Sequence, residues 1–440
     1  MIRRRRLLQA SAGLLAAPAL VEKVGAQSAF DWKQCKGQKI EVNLQKNPRS
    51  DVLQARQKEF EAMTGISVGS EQIPEQQQRP KAAMEMATGH PSFDVVQVAM
   101  HVQKRLIERA GWMEDLRPYV ANPSLTSADF DIGDFSPAGM RVATGPDGKL
   151  NVLAMNQDLF ILMYNKQLLD AKGVAPPKTL DELMAAAIKL TDPSKGVYGF
   201  VGRGLKNANV VLYDNMLLGW DQETVTPDGK TLLTDSPAAI EAGKYYQKIM
   251  RECAPPGVVG FNWNESQTTF SQGRAAMWWD AIGFTAPLID KTKSKITDVV
   301  GFMPPPAGPK GQWSATFMDA VGIPAGSKNK QAAWLYTQWA VGKTMMNAYL
   351  GGGAGTPARL SPYTDAAVIK GSPFKPDWFA TALECLKIAR SGLPEIVPVT
   401  EFRDIIGVAL TNVITGGDVA DELKKATASA QLVLDKSNQT

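Results

Sequence analysis

The chain alternates strand-like and helix-like segments over most of its 440 residues, and this alternation constrains the fold more than any other feature. Apolar residues recur at every second position over residues 39–45, which predicts a strand. A helix ending at Gly65 and a second strand over residues 66–73 follow. Residues 93–100 are apolar on both faces, as in a strand buried inside a parallel sheet. The sequence therefore predicts an α/β protein.

The second half of the chain continues the pattern. Thr179 and Glu182 have the spacing of a capping box, in which each side chain accepts a hydrogen bond from the backbone amide of the other, and they predict the start of a helix. Further helices are predicted over residues 236–252, 327–341, 402–415 and 419–435.

Residues 1–26 are typical of a targeting segment. They combine the cluster Arg3–Arg6, an apolar run over residues 7–21 and a small-residue cleavage site at residues 24–26. The order of two arginines, one further residue and two leucines resembles a twin-arginine export signal. The run is shorter than the roughly 20 residues of a membrane span and contains Pro18. We therefore expect export to the periplasm and leave this segment out of the fold.

The same 26 residues account for the whole formal charge of +4, so the rest of the chain is neutral in sum. Lysines and arginines are interleaved with acidic residues there, and no basic face suits a nucleic acid. We therefore expect no nucleic-acid partner.

Few residues could support metal or redox chemistry. With only two histidines, His90 and His101, the chain cannot build a multi-histidine metal centre, and a Ser/His/Asp triad would have to use one of the two. Three cysteines allow at most one disulfide, and the sequence leaves open which of them pair: Cys35, Cys253 and Cys385. The glycine-rich stretches at residues 202–204 and 351–355 lack the remaining residues of nucleotide-binding motifs. We therefore expect neither a cofactor nor a metal site.

Five ordered motifs between residues 162 and 200 resemble the segment that enters the second lobe of extracellular solute-binding proteins of ABC importers, the family that includes maltose-binding protein. They are Leu162–Lys166, Leu168–Leu169, Gly173–Val174, Pro176–Leu183 and Gly196–Phe200. Six more matches follow the family's order along nearly all of the remaining chain: Phe60–Ile66, Phe93–Val96, Ala110–Leu116, Phe270–Met277, Ser327–Trp334 and Thr356–Arg359.

The resemblance implies the two-lobed periplasmic binding protein fold of class II, with a sheet flanked by helices in each lobe and a ligand cleft between the lobes. It places the chain crossings near Gln157, near Val299 and after a helix ending near Val341. The implied N-lobe comprises residues 36–157 and 299–342, and the implied C-lobe comprises residues 158–298 and 343–440. Ligand contacts in such a fold come from the carboxyl ends of strands.

The resemblance also names candidate ligand-binding residues. They are Asn47, His101, Asp158, Trp279, Asp280, Asp319, Arg403 and Asp404, with Gln45, Trp220, Trp263, Trp278 and Arg359 as weaker candidates. Strand alternation puts Trp278 and Trp279 on opposite faces, so at most one of them is expected to face the ligand.

The chemistry of these residues favours a small, hydroxyl-rich ligand. Asp158 can accept two hydroxyl protons, and neutral His101 is both donor and acceptor. Arg403 and Asp404 stand where the maltose binder has aromatic platforms, which argues against a long maltodextrin and for a monosaccharide, disaccharide or sugar alcohol. Two alternatives stay open. His101 could be a structural histidine whose hydrogen bonds are satisfied at the end of its strand, and Arg403 and Asp404 could form a solvated ion pair at the start of a helix.

The predicted function is therefore capture of such a ligand by hinge closure, for delivery to an ABC permease in the inner membrane with a separate ATPase subunit. We expect a monomer without enzymatic activity. Two alternatives stay open: the same fold could bind glycerol phosphate or a polyamine, or the chain could be an exported carbohydrate-active enzyme, because two carboxylates across a cleft also describe a glycosidase.

Overall fold

The computed structural model describes residues 30–439, so the targeting segment predicted for residues 1–26 lies outside the described residues. The strands are β1 (Lys39–Gln45), β2 (Ser67–Ile73), β3 (Val95–Ala99), β4 (Leu153–Asn165), β5 (Met277–Ala281), β6 (Val300–Met303), β7 (Ser314–Gly322) and β8 (Ala389–Ser391). The α-helices are α1 (Pro48–Thr64), α2 (Glu75–Ala87), α3 (Met100–Ala110), α4 (Arg117–Val120), α5 (Pro137–Ala143), α6 (Lys166–Asp170), α7 (Leu180–Leu190), α8 (Asn209–Leu218), α9 (Pro237–Glu252), α10 (Trp263–Ser271), α11 (Lys330–Ala340), α12 (Lys343–Gly351), α13 (Ala366–Gly371), α14 (Pro376–Lys387), α15 (Val399–Thr415) and α16 (Val419–Gln439).

Two long strands connect the halves of the molecule. The strand order is β2-β1-β3-β7-β4-β5, with β6 paired to β4 and β8 paired to β7. Strand β1 is parallel to β2 and β3, whereas β7 is antiparallel to β3 and β4. The first part of β4 pairs with β7 and its second part pairs with β5 and β6. We call the half with β1, β2 and β3 the N-lobe and the half with β5, β6 and β8 the C-lobe.

Each lobe has its own core. Strands β1 and β3 bury most of their side chains, and β2 buries Val68, in the N-lobe core with Phe60 and Trp334. The C-lobe sheet is buried on both faces: Leu162 and Trp279 pack on one side, and Ile161 and Trp278 pack on the other. The strict alternation along β4 and β5 follows from the two-residue period of a strand.

The pairing of β6 bears on the predicted lobe boundaries. Residues 300–303 pair with the Leu162–Asn165 end of β4, inside the C-lobe sheet, and the chain reaches the N-lobe sheet only along β7. We therefore propose that the second crossing lies within β7 and not near Val299. In the same proposal, the first crossing, predicted near Gln157, lies inside β4.

Side-chain hydrogen bonds shift some helix ends. Helix α11 begins three residues later than predicted, because the Ser327 hydroxyl and the Asn329 amide both donate to the Asp94 carboxylate, at 2.7 and 3.2 Å, and hold this segment as a turn. Helix α15 begins at Val399 and not at residue 402.

The three cysteines, which all lie in the described range, are buried and free. Among residues 30–439, no helix combines the length and the apolar character that crossing a membrane requires.

Candidate functional site

A cavity of about 470 Å³ lies between the lobes where β4 crosses. The N-lobe contributes Arg49 from the first turn of α1, and the crossing strand contributes Asp158. The C-lobe contributes Trp263 at the start of α10 and Phe284 after β5, and their rings stack with centroids 4.5 Å apart and planes 8° apart. The cavity therefore has charged groups on one side and an aromatic pair on the other.

The N-lobe wall carries a short ion pair. Arg49 Nη2 lies 2.5 Å from an Asp319 carboxylate oxygen, and both side chains are 15% exposed. Asn47 positions Arg49 by capping α1: its side chain accepts from the backbone amides of Arg49 and Ser50, at 3.1 Å each. Asn47, a predicted ligand residue, is thus engaged in a cap.

A network of buried amides supports this wall. Gln78 Nε2 donates to Asn43 Oδ1 at 2.6 Å and to the Gln97 carbonyl at 3.0 Å, and Gln97 Oε1 accepts from the Gln45 backbone amide at 3.0 Å. The side chain of Gln45 in turn donates to Gln78. These bonds fix the carboxyl ends of β1 and β3 against α2.

His101 lies at the point where β3 passes into α3. Its Nδ1 faces the Met318 carbonyl at 3.4 Å and its ring packs edge-on against Phe317. Burial lowers the pKa of His101 to about 4, with Asp319 acting in the opposite direction and Arg79 adding to the decrease. The ring is therefore neutral at neutral pH, and the hydroxyl-binding role of His101 stays a prediction.

Arg79 of α2 joins the same group of charges. Burial lowers its pKa to about 10, Asp319 opposes this change, and Arg403 of the C-lobe contributes to it. Arg79 and Arg403 thus interact from opposite lobes.

Asp158 is held mainly by one backbone amide. The Gly283 N–H donates to its carboxylate at 3.0 Å. A Cβ on Gly283 would lie 3.1 Å from both carboxylate oxygens, so glycine permits this close approach. Burial raises the pKa of Asp158 to about 6, against the lowering effect of the Gly283 bond and of Arg49. The carboxylate retains capacity for further hydrogen bonds.

Asp280 is bound within the C-lobe. Arg203 Nε donates to its two carboxylate oxygens at 3.1 and 2.9 Å, and Arg203 Nη2 donates at 2.5 Å. Asp280 is fully buried, and the Arg203 guanidinium carbon lies 5.5 Å from the ring centroids of Phe160 and Phe284. Asp280 therefore fixes Arg203, which was not among the candidate ligand-binding residues.

Arg403 and Asp404 do not pair with each other. Arg403 Nη2 donates to the Asn207 carbonyl at 3.2 Å, and Asp404 accepts from Asn207 Nδ2 at 2.9 Å. Burial lowers the pKa of Arg403, Arg203 adds to the decrease, and Asp214 opposes it. The side chain of Asp404 is half-exposed, so it holds the turn at residues 206–207 while Arg403 faces inward.

The main candidate Trp279 and three weaker candidates, Trp278, Trp220 and Arg359, lie outside the cavity. Trp278 and Trp279 are both in the C-lobe cores, because helices cover both faces of this sheet. Arg359 is fully buried and donates to the carbonyls of Val341, Phe130 and Asp131. Trp220 packs against Tyr245. Their positions remove these residues from the ligand-binding set that we propose.

Trp263 is the weaker candidate that does line the cavity, and 37% of it is exposed. Three arginines were missed: Arg49, Arg79 and Arg203. The Asn47-Pro48 cap signal could have pointed to Arg49, whereas nothing local marks the others. Within the described part of the chain, no group of three or more His, Cys, Asp or Glu residues could hold a metal ion.

Comparisons with known proteins agree with this architecture. A family model described as bacterial extracellular solute-binding protein matches residues 46–347. An erythritol/L-threitol-binding protein of Mycolicibacterium smegmatis is 28% identical over 417 residues, which cover 90% of this chain and 86% of the relative. A probable amino-acid ABC transporter periplasmic-binding protein of Sinorhizobium fredii is 26% identical over 387 residues, with 83% and 84% covered.

A solved solute-binding protein of an ABC transporter from Agrobacterium radiobacter K84, in complex with ribitol, has a TM-score of 0.76 to this chain at 24% identity, covering 90% of this chain and 99% of that one. This similarity confirms the predicted two-lobed α/β fold. Because the family model spans more than half of the sequence, the chain belongs to the bacterial extracellular solute-binding proteins.

Proposed function

We propose that this protein captures a small polyol or carbohydrate outside the cytoplasm for an ABC importer. The observation that carries the proposal is a cavity between the lobes lined by Arg49, which is paired with Asp319, by Asp158 of the crossing strand, and by the stacked rings of Trp263 and Phe284. The relatives named for erythritol, L-threitol and ribitol support a polyol.

Capture proceeds by closure of the two lobes. A ligand that contacts both lobes favours the closed arrangement, because its hydroxyls bond to groups that are close together only when the lobes have closed. Asp158 accepts hydroxyl protons, Arg403 donates to hydroxyl oxygens, and Trp263 offers an aromatic surface to the carbon chain.

The closed protein then delivers its ligand to an inner-membrane permease whose separate ATPase subunit supplies the energy. In this proposal the chain is a periplasmic monomer, exported by the twin-arginine route, without catalytic activity. The geometry favours binding over glycoside hydrolysis, since Asp280 is bound by Arg203 and is not available as a second catalytic carboxylate.

Thermal unfolding and calorimetry of residues 27–440 test the proposal. The panel comprises erythritol, ribitol, D-mannitol, maltose, glycerol 3-phosphate, putrescine and an amino acid mixture. A ligand present at 100 times its dissociation constant adds about 2.7 kcal/mol of stability, which is a clear shift in melting temperature.

We expect a polyol or sugar to bind and the variants Asp158→Ala and Arg403→Ala to lose most of this affinity. The control Glu401→Ala, an exposed neighbour of Arg403, should bind normally. Binding of only the phosphate, the polyamine or an amino acid would overturn the substrate class, and chemical conversion of a bound sugar would overturn the transport role.

A further inference from the structure

A second cavity lies between the lobes, apart from the cleft described above. It measures about 310 Å³ and shares no lining residue with the cavity at Arg49 and Asp158. This volume is in the range of small-molecule sites. The N-lobe lines the cavity with the end of α3 and with residues 146–151, and the C-lobe lines it with residues 228–229 and 395–397.

Hydrogen bonds between the lobes border this second cavity. Arg105 Nε donates to the Glu395 carbonyl at 2.9 Å, and both residues belong to the lining. Arg109, which also lines the cavity, donates to the Ser437 carbonyl at 2.7 Å. Because these bonds join opposite lobes, separation of the lobes opens the cavity. A molecule that binds in it therefore contacts both lobes and favours the closed arrangement.

One buried carboxylate of the lining lacks a full set of partners. The Glu108 side chain is 7% exposed, and its Oε1 has no hydrogen-bond partner among residues 30–439. Lys104 Nζ lies 4.0 Å from this oxygen, beyond hydrogen-bond distance, and the other oxygen accepts from Arg105 Nη1 at 3.5 Å. Leaving a buried acceptor unsatisfied costs free energy, so a ligand that donates to Glu108 gains that energy on binding.

Three polar atoms of the lining converge in front of Gly145. A Cβ on Gly145 would lie 2.9 Å from both Asp147 Oδ1 and Asn151 Nδ2, and 3.7 Å from Glu108 Oε1. Asp147 Oδ1 already accepts from the Lys149 backbone amide at 3.0 Å and retains capacity for another donor. Because glycine has no side chain, the space between these atoms is open to a donor group of a ligand.

The charges of the lining favour a cationic donor. Four carboxyl groups face three cations, and the carboxyl groups come from both lobes: Glu108 and Asp147 from the N-lobe, Asp228 and Glu395 from the C-lobe. A bound cation offsets the repulsion between them when the lobes close. A metal ion does not match, since no group of three or more His, Cys, Asp or Glu residues in the described range could hold one. An ammonium group, with three donors, does.

We propose that this cavity is a second binding site, for a small molecule that carries a primary ammonium group. The ammonium donates to Glu108 Oε1 and Asp147 Oδ1, while Met113 and Ile396 contact the carbon atoms of the ligand. Its occupant holds the lobes together and so raises the affinity of the cleft for its own ligand, and the cleft ligand raises the affinity of the second site by the same factor. This coupling rests on the proposed function.

Calorimetry of residues 27–440 with three probes tests the site. Ethanolamine represents a simple amine, L-alanine represents an amino acid, and 1-propanol carries a methyl group in place of the ammonium of ethanolamine. Each probe is measured on the wild type and on the variants below.

Two variants change the site in different ways. Gly145→Ala places a methyl group between the three polar atoms, and the backbone tolerates it because Gly145 is not in the left-handed conformation. Its control is Gly133→Ala, whose Cβ meets Asp131 Oδ1 at an ordinary 3.5 Å. Glu108→Gln removes the buried charge, and its control is Glu59→Gln, which is 59% exposed and paired with Arg56 within α1.

We expect ethanolamine or L-alanine to bind the wild type and both controls at least about tenfold more tightly than 1-propanol. Gly145→Ala and Glu108→Gln should lose this binding while they bind the cleft ligand alone as the wild type does. Tighter binding of ethanolamine identifies a simple amine as the occupant, and tighter binding of L-alanine identifies an amino acid. A saturating amount of the better probe should raise the affinity of the wild type for its cleft ligand about threefold or more.

Several outcomes overturn the second site. They are failure of both ammonium probes to bind, equal binding of 1-propanol, and binding that persists in Gly145→Ala, which decides alone if Glu108→Gln does not fold. Binding that is lost in Asp158→Ala and kept in Gly145→Ala places the amine in the cleft and also overturns it. Probe binding without an effect on the cleft overturns the coupling. Failure to find any cleft ligand overturns the proposed function instead, because ammonium binding to the second cavity stays measurable.

Discussion

The protonation of one residue, His101, makes the stability of the folded protein depend on pH. Its ring lies against Phe317 and Met318, and Asp319, Arg79 and Arg403 are the charged groups that act on it. Burial is the largest cause of its low pKa, and protonation therefore opposes folding. The unfolded chain has no such environment and binds a proton near the ordinary value of about 6.5.

Because the pKa of His101 is lowered to about 4, the direction in which its protonation changes the free energy of unfolding is defined. At His101 the unfolded state binds up to one more proton than the folded state between pH 4 and 6.5, so the contribution of this residue to stability is complete above about 6.5 and decreases as the pH falls toward 4. We expect His101→Gln to flatten this part of the urea-unfolding profile by at most about 1.4 kcal/mol per pH unit. The control is His90→Gln, because His90 is exposed. A profile for His101→Gln that parallels the wild type would contradict the assignment.

At the scale of elements, local sequence patterns predicted those strand and helix ends that depend on interactions between neighbouring residues. The strand at residues 39–45 matches its prediction at both ends, and the helix ending at Gly65 stops there because this glycine adopts the left-handed conformation at φ 72°. The length of β4 could not be predicted, because its two parts pair with different strands far along the chain. For the same reason the ion pairs of Arg49 and Arg203 join residues more than 70 positions apart and leave no local signal.

The start of α7 shows the limit of a local motif. The Thr179 hydroxyl accepts from the Glu182 backbone amide at 3.2 Å, as predicted. The Glu182 carboxylate, however, accepts from the Lys178 amide at 2.7 Å, one residue before the cap, so the predicted reciprocal box is wrong in its second bond. The complete box lies at Asn262 and Glu265.

Thr179→Ala is expected to destabilise the protein by about 1 kcal/mol, because the Glu182 amide loses its acceptor at the exposed end of α7. Urea unfolding measures the change, and Thr179→Ser, which keeps the hydroxyl, should restore most of it. An unchanged midpoint for the alanine variant would show that water replaces the cap at no cost.

At the scale of the whole molecule, the candidate site exists only where the lobes meet. Arg49 of α1, Asp158 of β4 and Trp263 of α10 line its cavity together. The sequence could name members of this set because the resemblance to a family supplies their approximate positions. It could not separate cleft residues from core residues such as Trp278, Trp279 and Arg359, because burial on both faces of a sheet depends on the packing of distant helices.

Contacts between the edges of the two lobes, which we call the rim, stabilise the closed arrangement. On α3 of the N-lobe, Lys104 Nζ lies 2.7 Å from the Glu395 carboxylate of the C-lobe, and Arg109 donates to the Ser437 carbonyl at 2.7 Å. Lys104 is nearly buried, so this pair is shielded from solvent more than ordinary surface ion pairs.

Because these contacts join opposite lobes, they stabilise closure without touching the ligand. The affinity that is observed depends on the fraction of closed protein. We expect Glu395→Gln to lower the affinity for every ligand by one common factor of about threefold to tenfold. Small-angle scattering should show a larger radius of gyration for the unliganded variant. The matched control is Glu384→Gln, whose ion pair with Lys387 lies within one helix and is exposed. A loss of affinity confined to one class of ligand would instead indicate that Glu395 contacts the ligand directly, and unchanged scattering and affinity would exclude a role of the rim in closure.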